Sequence, residues 1–217
     1  VNLVILGAPG SGKGTQASRI AEKASIRHIS TGDLLRDAVA KGTEIGKRAA
    51  GIMAAGKLVP DEVVLELLRD ALSGRKEHAN RRGWILDGYP RTLAQAEALE
   101  GVLERTGEKI DGVVCIELDP EVVVERLSKR RTCASCKAVY HLVSNPPAVE
   151  DKCDACGGPL VLREDDKPDT IRKRLEVYRQ ETLPIIALYQ KRYRVYRVDG
   201  SKPIDEVTSK IAGLIGL

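Results

Sequence analysis

The stretch Gly7-Ala8-Pro9-Gly10-Ser11-Gly12-Lys13-Gly14-Thr15 comes within one residue of the phosphate-cradling pattern G-x-x-x-x-G-K-[ST]. Glycines there let backbone N–H groups converge on an anion, and Lys13 adds a point charge for the outer phosphates. Gly14 stands where the pattern has a hydroxyl, so Thr15, one place later, is the hydroxyl available to metal or phosphate. A ligand-free glycine turn is the alternative. Lys13 directly after Gly12, and the apolar run Leu3-Val4-Ile5-Leu6 ahead of the loop, favour a nucleotide phosphate. A second constellation is Cys133-Ala134-Ser135-Cys136 and Cys153-Asp154-Ala155-Cys156, two C-x-x-C pairs with sixteen residues between them. Each pair can form a knuckle, and four thiolates make a closed tetrahedral site without an open position for water. The expected metal is therefore structural Zn2+ on Cys133, Cys136, Cys153 and Cys156, although iron also accepts four thiolates. His141 lies beside this cluster, but the four cysteines already complete it. Cys115, inside a Val/Ile run, reads as a small buried hydrophobe, and Trp84 as strand packing; His28 and His78 have no partner motif.

A phosphate loop works only between a strand and a helix. Leu3 to Leu6 supply the strand, and Ala17, Ile20 and Ala21 recur at helical spacing just after the loop. Trp84-Ile85-Leu86 and Val113-Val114-Cys115-Ile116-Glu117-Leu118 read as interior strands of a parallel sheet, whose faces are both covered. One helix begins near Asp61 with Val64, Leu67, Leu68 and Ala71 on one face; another follows Asp119 as N-cap, with Pro120 at the first helical position. A strand near Tyr196 to Asp199 and a helix from Ile204 complete the alternation. The expected fold is α/β: an open parallel sheet with helices on both faces. Two stretches break the pattern. Residues 30–60 read as two short helices, Thr31 capping the first, Gly42 ending it and Gly56 ending the second. Residues 127–164 are rich in cysteine, proline and glycine, with the β-prone run Ala138-Val139-Tyr140-His141. Both look like lobes inserted into one core, and the second is shorter than the roughly 40 residues below which a metal or disulfide is usually needed.

Composition sets the remaining bounds. A chain of 217 residues, 42% hydrophobic, can bury a core as one domain. Its net charge of +4 suits anionic small molecules or nucleic acid and decides between neither. No segment approaches the roughly 18 apolar residues of a membrane span. C-x-x-C pairs read as metal ligands in a reducing compartment, so a cytoplasmic protein is expected.

Taken in order, several motifs resemble adenylate kinases: the G-K-G-T ending of the loop, Ser30-Thr31-Gly32-Asp33-Leu34-Leu35-Arg36, and Asp87-Gly88-Tyr89-Pro90-Arg91-Thr92 with Gln95. The likeness continues through Arg126, Arg130, Arg131, Asp165-Asp166 and Arg172-Lys173-Arg174 to Val198-Asp199-Gly200-Ser201-Lys202-Pro203. The resemblance implies a P-loop NTPase-type core over residues 1–29, 61–126 and 165–217, an AMP-binding lobe over 30–60 and a β-rich zinc-binding lid over 127–164. It implies transfer of the ATP γ-phosphoryl group to AMP, giving two ADP. ATP would be held by Gly10, Ser11, Gly12, Lys13, Gly14, Thr15, Arg126, Arg130 and Lys202. AMP would meet Thr31, Arg36, Lys57, Leu58, Val59, Gly88, Arg91, Gln95, Arg163 and Arg174. Arg36 and Arg91 would clamp the acceptor phosphate while Arg126, Arg130, Arg163 and Arg174 close on the moving group; planar guanidinium forks match phosphate oxygens in pairs.

By the same resemblance, Asp33 and Asp87 orient Mg2+ through bound water. Local alternatives stay open: Asp33 favours the dipole of a first helical turn, and Asp87 starts a turn before Gly88. Thr92-x-x-Gln95 is also capping-box spacing, so Gln95 could serve the helix rather than the base. The partners implied are ATP, AMP and ADP, without nucleic acid or membrane, for a monomer. The rival readings are a kinase for another nucleoside monophosphate and a nucleic-acid-binding zinc ribbon. The second lacks the aromatics interleaved with Lys and Arg that would stack bases.

Overall fold

A computed structural model describes residues 1–73 and 83–217, which leaves His78 outside the described residues. β1 (Asn2–Gly7) runs into α1 (Lys13–Ala24), and β2 (Arg27–Ser30) into the helical pair α2 (Thr31–Ala40) and α3 (Glu44–Ala54). Then come α4 (Asp61–Ser73), β3 (Trp84–Asp87), α5 (Leu93–Thr106), β4 (Gly112–Glu117) and α6 (Pro120–Ser128). β5 (Arg130–Cys133), β6 (Val139–His141) and β7 (Leu160–Val161) form a small antiparallel sheet of their own. α7 (Pro168–Val177), α8 (Leu183–Arg192), β8 (Val195–Asp199) and α9 (Ile204–Ile215) return to the main sheet. Its order is β2-β3-β1-β4-β8 with every pair parallel, so the carboxyl ends Gly7, Ser30, Asp87, Glu117 and Asp199 share one edge.

The strands read as unbroken apolar runs because both faces are covered. Leu3, Ile5, Ile85, Val114 and Ile116 pack against Ala17 and Ile20 of α1 and Val207 and Ile211 of α9. Their neighbours Val4, Leu6, Leu86, Val113 and Cys115 face the other way, onto Leu68 of α4, Leu99 of α5 and Ile185 and Tyr189 of α8. Each such side chain contributes about 1.5–3 kcal/mol by leaving water. Cys115 is 1% exposed, and burial pushes its thiol up to about 11, which suits a packing residue. Trp84 packs in the same layer and donates Nε1–H to Glu108 Oε2 at 2.7 Å.

Asp119 caps α6 by accepting from Glu121 N–H at 2.8 Å, with Pro120 first in the helix, as the sequence led us to expect. Gly42 and Gly56 follow α2 and α3 as expected. The cap of α2 is a correction. Ser30, not Thr31, accepts from Asp33 N–H, at 3.3 Å; Thr31 is the first helical residue, and its hydroxyl donates to Gly88 O at 2.8 Å. Among the described residues no helix is long and apolar enough to cross a membrane.

Candidate active site

The glycine loop leaves β1 at the middle of the sheet edge and turns over into α1. Gly12 closes the turn at φ +94°, left-handed backbone that favours glycine, and gives α1 no side-chain cap. The first N–H groups of α1 thus lack a side-chain partner, and the buried Ser11 hydroxyl has none among the described residues. Lys13 reaches back across the loop and donates to Ala8 O at 2.9 Å. Burial brings its ammonium from 10.5 to about 8; Asp87 opposes the fall, and Arg91, Arg174 and Arg130 add to it. Gly14 also has a local reason. A Cβ there would stand 3.2 Å from Asp87 Oδ2, so glycine leaves that carboxylate its place.

Asp87 ends β3, opposite Ser30 of β2 and Ile5 of β1. Burial disfavours its charge, but His28, Lys13 and Arg91 outweigh that and hold the carboxyl below the usual carboxylate range. The His28 Nε2 atom is 3.6 Å from Asp87 Oδ2, too long for a hydrogen bond, so its effect is that of a nearby dipole or charge. Asp33 lies in the first turn of α2 and takes Arg36 Nη2 at 2.7 Å and Nε at 3.3 Å. Burial raises its carboxyl; Arg36 and the Ser30 hydroxyl more than reverse this.

Beside the loop a small pocket opens between α2, α3 and the β3 edge. Thr31, Arg36, Lys57, Leu58, Val59, Gly88, Arg91, Gln95 and Arg174 line it. Gly10, Ser11, Gly12, Lys13, Gly14, Thr15, Asp33, Asp87, Arg126, Arg130, Arg163 and Lys202 line an adjoining, much larger open cleft. Arg36, Gly88, Arg91 and Arg174 line both. Of the residues expected at the acceptor, only Arg163 faces the cleft alone.

Gln95 is 2% exposed, bonds at the start of its own helix and lines the pocket. Its backbone N–H bonds the Thr92 cap at 3.1 Å, and its Oε1 accepts from Arg91 N–H at 2.7 Å, one residue ahead of the true capping-box partner. Its Nε2 donates to Asp61 Oδ1 at 2.6 Å, while the side chain still lines the pocket.

Arg130 and Arg174 converge on two carboxylates that the sequence offered only as part of a motif. Arg130 grips the fully buried Asp166 carboxylate with both fork arms, Nε to Oδ2 at 2.8 Å and Nη2 to Oδ1 at 2.6 Å. Arg174 shares that Oδ1 at 3.0 Å and also meets Asp165 Oδ2 at 3.1 Å. Arg163 donates to Thr132 Oγ1 at 2.8 Å, and Arg126 to Gly200 O at 2.8 Å, on the turn that carries Lys202. Arg91 donates Nε–H to Gly88 O at 2.8 Å, and Thr182 Oγ1 in turn donates to Arg91 O at 2.9 Å. Burial, then mutual repulsion, lowers Arg91 to about 10 and Arg163 to about 9; Asp87 and Asp165 relieve Arg91, Asp33 and Asp165 relieve Arg163. So much crowded positive charge is a site built for a polyanion.

The four cysteines meet at the end of the small sheet, all sulfurs within 4.8 Å of one another. Cys133 Sγ is 3.5 Å from Cys156 Sγ, and Cys136 Sγ 3.4 Å from Cys153 Sγ. These are free thiols, since a disulfide would be about 2.05 Å. Four sulfurs about 2.3 Å from one tetrahedral metal would lie roughly 3.8 Å apart, so the set fits zinc closely. The two knuckles repeat one turn. Lys137 N–H donates to Cys133 O and Gly157 N–H to Cys153 O; Cys133 N–H reaches Ala138 O and Cys153 N–H reaches Gly158 O. A hydrogen bond with the Tyr140 hydroxyl, 3.4 Å from Cys153 Sγ, brings that thiol down to about 6, toward the thiolate a metal needs.

Residues 5–194 match the family described as adenylate kinase. An adenylate kinase of Archaeoglobus fulgidus is 51% identical over 215 residues, 99% of this chain and 98% of that one. One from Agathobacter rectalis is 49% identical over 216 residues, covering all of both chains. One from Methanocella arvoryzae is 46% identical over 99% of this chain and 98% of its own.

Proposed function

The chain belongs to the adenylate kinase family and is an ATP:AMP phosphotransferase, and from that premise we propose that the open cleft takes ATP and the smaller pocket AMP. The carrying observation is that Arg36, Arg91 and Arg174 line both cavities. An acceptor phosphate in the pocket and a γ-phosphate in the cleft would meet at these three guanidiniums. The loop amides and Lys13 bind the donor phosphates, with Arg126, Arg130 and Lys202 along the cleft. Arg36 and Arg91 clamp the AMP phosphate, while Thr31, Lys57, Leu58, Val59, Gly88 and Gln95 surround the nucleoside. Arg130, Arg163 and Arg174 turn from their protein partners to the transferring group. Phosphoryl transfer asks little covalent help of the protein and much positioning and positive charge, which this set supplies.

Adenylate kinases use a magnesium nucleotide, and the ionised Asp87 beside Gly14, with Asp33 lining the same cleft, suits its water ligands. Magnesium offsets phosphate charge when bound. Zinc on the four cysteines is structural in this reading, with no open coordination position. Residues 30–60 form the acceptor lobe, 127–164 the lid, and residues 1–29, 61–126 and 165–217 the core. Adenylate kinases are a standing example of lid closure, so this motion comes from family membership. Closure shuts out water, the competing nucleophile. The working state is a cytoplasmic monomer acting on ATP, AMP and ADP, away from nucleic acid and membranes.

A magnesium-dependent assay with ATP and, separately, AMP, GMP, CMP or UMP tests the assignment, with products separated. AMP preference with ADP as sole product supports it; preference for another base overturns the acceptor pocket.

Lys13 adds a pH prediction. Below pH 8 its ammonium is present before nucleotide arrives; above it the free enzyme has lost the proton, and the phosphates must draw it back. ATP binding therefore takes up a proton, and weakens, as pH rises past 8. Between about 8 and 10.5 the unfolded chain binds the extra proton, so this group adds stability to the free fold as pH rises through that window. Calorimetry in two buffers of unlike ionisation enthalpy measures the uptake. Absence of uptake one unit above 8 would refute the shift.

A further inference from the structure

The Gln95 amide can face its neighbours in only one sense. Backbone N–H of Arg91 can only donate, so the amide oxygen must turn to it; it does, at 2.7 Å. A carboxylate oxygen of Asp61 can only accept, so the amide nitrogen must turn there; it does, at 2.6 Å. Each contact uses one of the two hydrogens or one of the two lone pairs, leaving one of each for a ligand in the pocket that Gln95 lines. Asp61 itself sits behind, at the start of α4, and is not part of the pocket wall. Thr92, the cap of α5, also leans on it, with its hydroxyl 3.4 Å from Asp61 Oδ2.

We propose that Asp61 is the residue that sets which base the acceptor pocket takes, by holding the Gln95 amide in one orientation. The inference rests on the reading that Gln95 reads the acceptor base. The six-membered edge of adenine presents an acceptor at N1 beside a donor at N6; hypoxanthine and guanine present the reverse, a donor at N1 beside an acceptor at O6. A fixed amide complements one of these edges and sets donor against donor, acceptor against acceptor, on the other. Turning the amide over would exchange the two. With Asp61 in place the turned amide would put its oxygen against a carboxylate and its NH2 against an N–H, so the wrong purine finds no complementary edge. Asp61 is thus a positioning residue: it touches no substrate and acts through Gln95.

The test compares kcat/KM for AMP and for IMP, with ATP as donor, in the full-length wild type, Asp61→Ala and Asp61→Asn. IMP keeps the ribose phosphate and differs at the read edge, so the AMP/IMP ratio isolates base choice. Asp61→Ala lowers that ratio roughly tenfold, the worth of one hydrogen bond to a charged group. Asp61→Asn, whose own amide can face either way, moves it in the same direction. A purely structural role at the start of α4 would reduce both substrates alike and leave the ratio unchanged, and an unchanged ratio in both variants overturns the inference. A wild type without AMP preference overturns the reading of Gln95 and the inference with it, so the two failures are distinguishable.

Discussion

Arg130→Lys lowers turnover about a hundredfold, the scale of losing a charge-stabilising donor at the transition state, while the melting temperature falls by only about 2–4 °C. The contrast follows from what Arg130 does before substrate arrives. Its two-armed grip on Asp166 shows the paired-donor geometry the guanidinium offers, and a phosphoryl group has oxygens that match the same fork. Lysine keeps the charge, so the buried carboxylate is not left alone, and Arg174 still holds it at 3.0 Å. About one hydrogen bond is lost to the fold, roughly 1 kcal/mol. In the transition state, lysine offers one point of charge where two aligned donors are needed. Steady-state kinetics with a parallel melt check this, and near-normal turnover would remove Arg130 from the transferring group.

Cys153→Ser abolishes stoichiometric zinc and lowers the melting temperature by about 10 °C, while leaving measurable activity in the cold. The lobe's own core is slight: Cys133, Tyr140, Cys153 and Leu160, with Ala138 packed on it. Two of those five are proposed metal ligands. Removing even a third of the ~10 kcal/mol that a structural zinc site can supply is worth about 10 °C in a chain of this size. Arg130, the first residue of β5, and Arg163, just past β7, lose their scaffold only as the lobe melts. Elemental analysis with calorimetry decides it; zinc content equal to wild type would show that Cys153 is not a ligand.

The glycine loop and cysteine knuckles were legible because each is a local device, fixed by a few neighbouring residues. The interior strands were legible because covering both faces leaves unbroken apolar runs. β2 was not, since three of the four residues Arg27-His28-Ile29-Ser30 are polar. Its Arg27 is buried with its guanidinium donating to Ala71 O and Leu72 O, far along the chain. The π-helical turn over Tyr178–Thr182, between α7 and α8, was hidden for another reason: Pro184, at the start of α8, brings no N–H to the ladder, and no glycine marks the turn. Ser30 and Thr31 are adjacent hydroxyls with the same capping signal; only the neighbouring strand shows that Thr31 is spent on Gly88. The part of the site that sequence left silent, Asp61 behind Gln95 and Asp165 and Asp166 behind the arginines, is silent because a counter-charge is recognised by what it touches.

Asp165 and Asp166 also bear on the direction of the reaction. Their carboxylates pair with Arg130 and Arg174, so in the proposed reaction substrate entry exchanges one set of anions for another at these two guanidiniums. ATP with AMP, and two molecules of ADP, carry the same total of phosphate groups. One unaltered set of guanidiniums therefore serves the forward and the reverse transfer, and the protein has no electrostatic stake in which pair leaves.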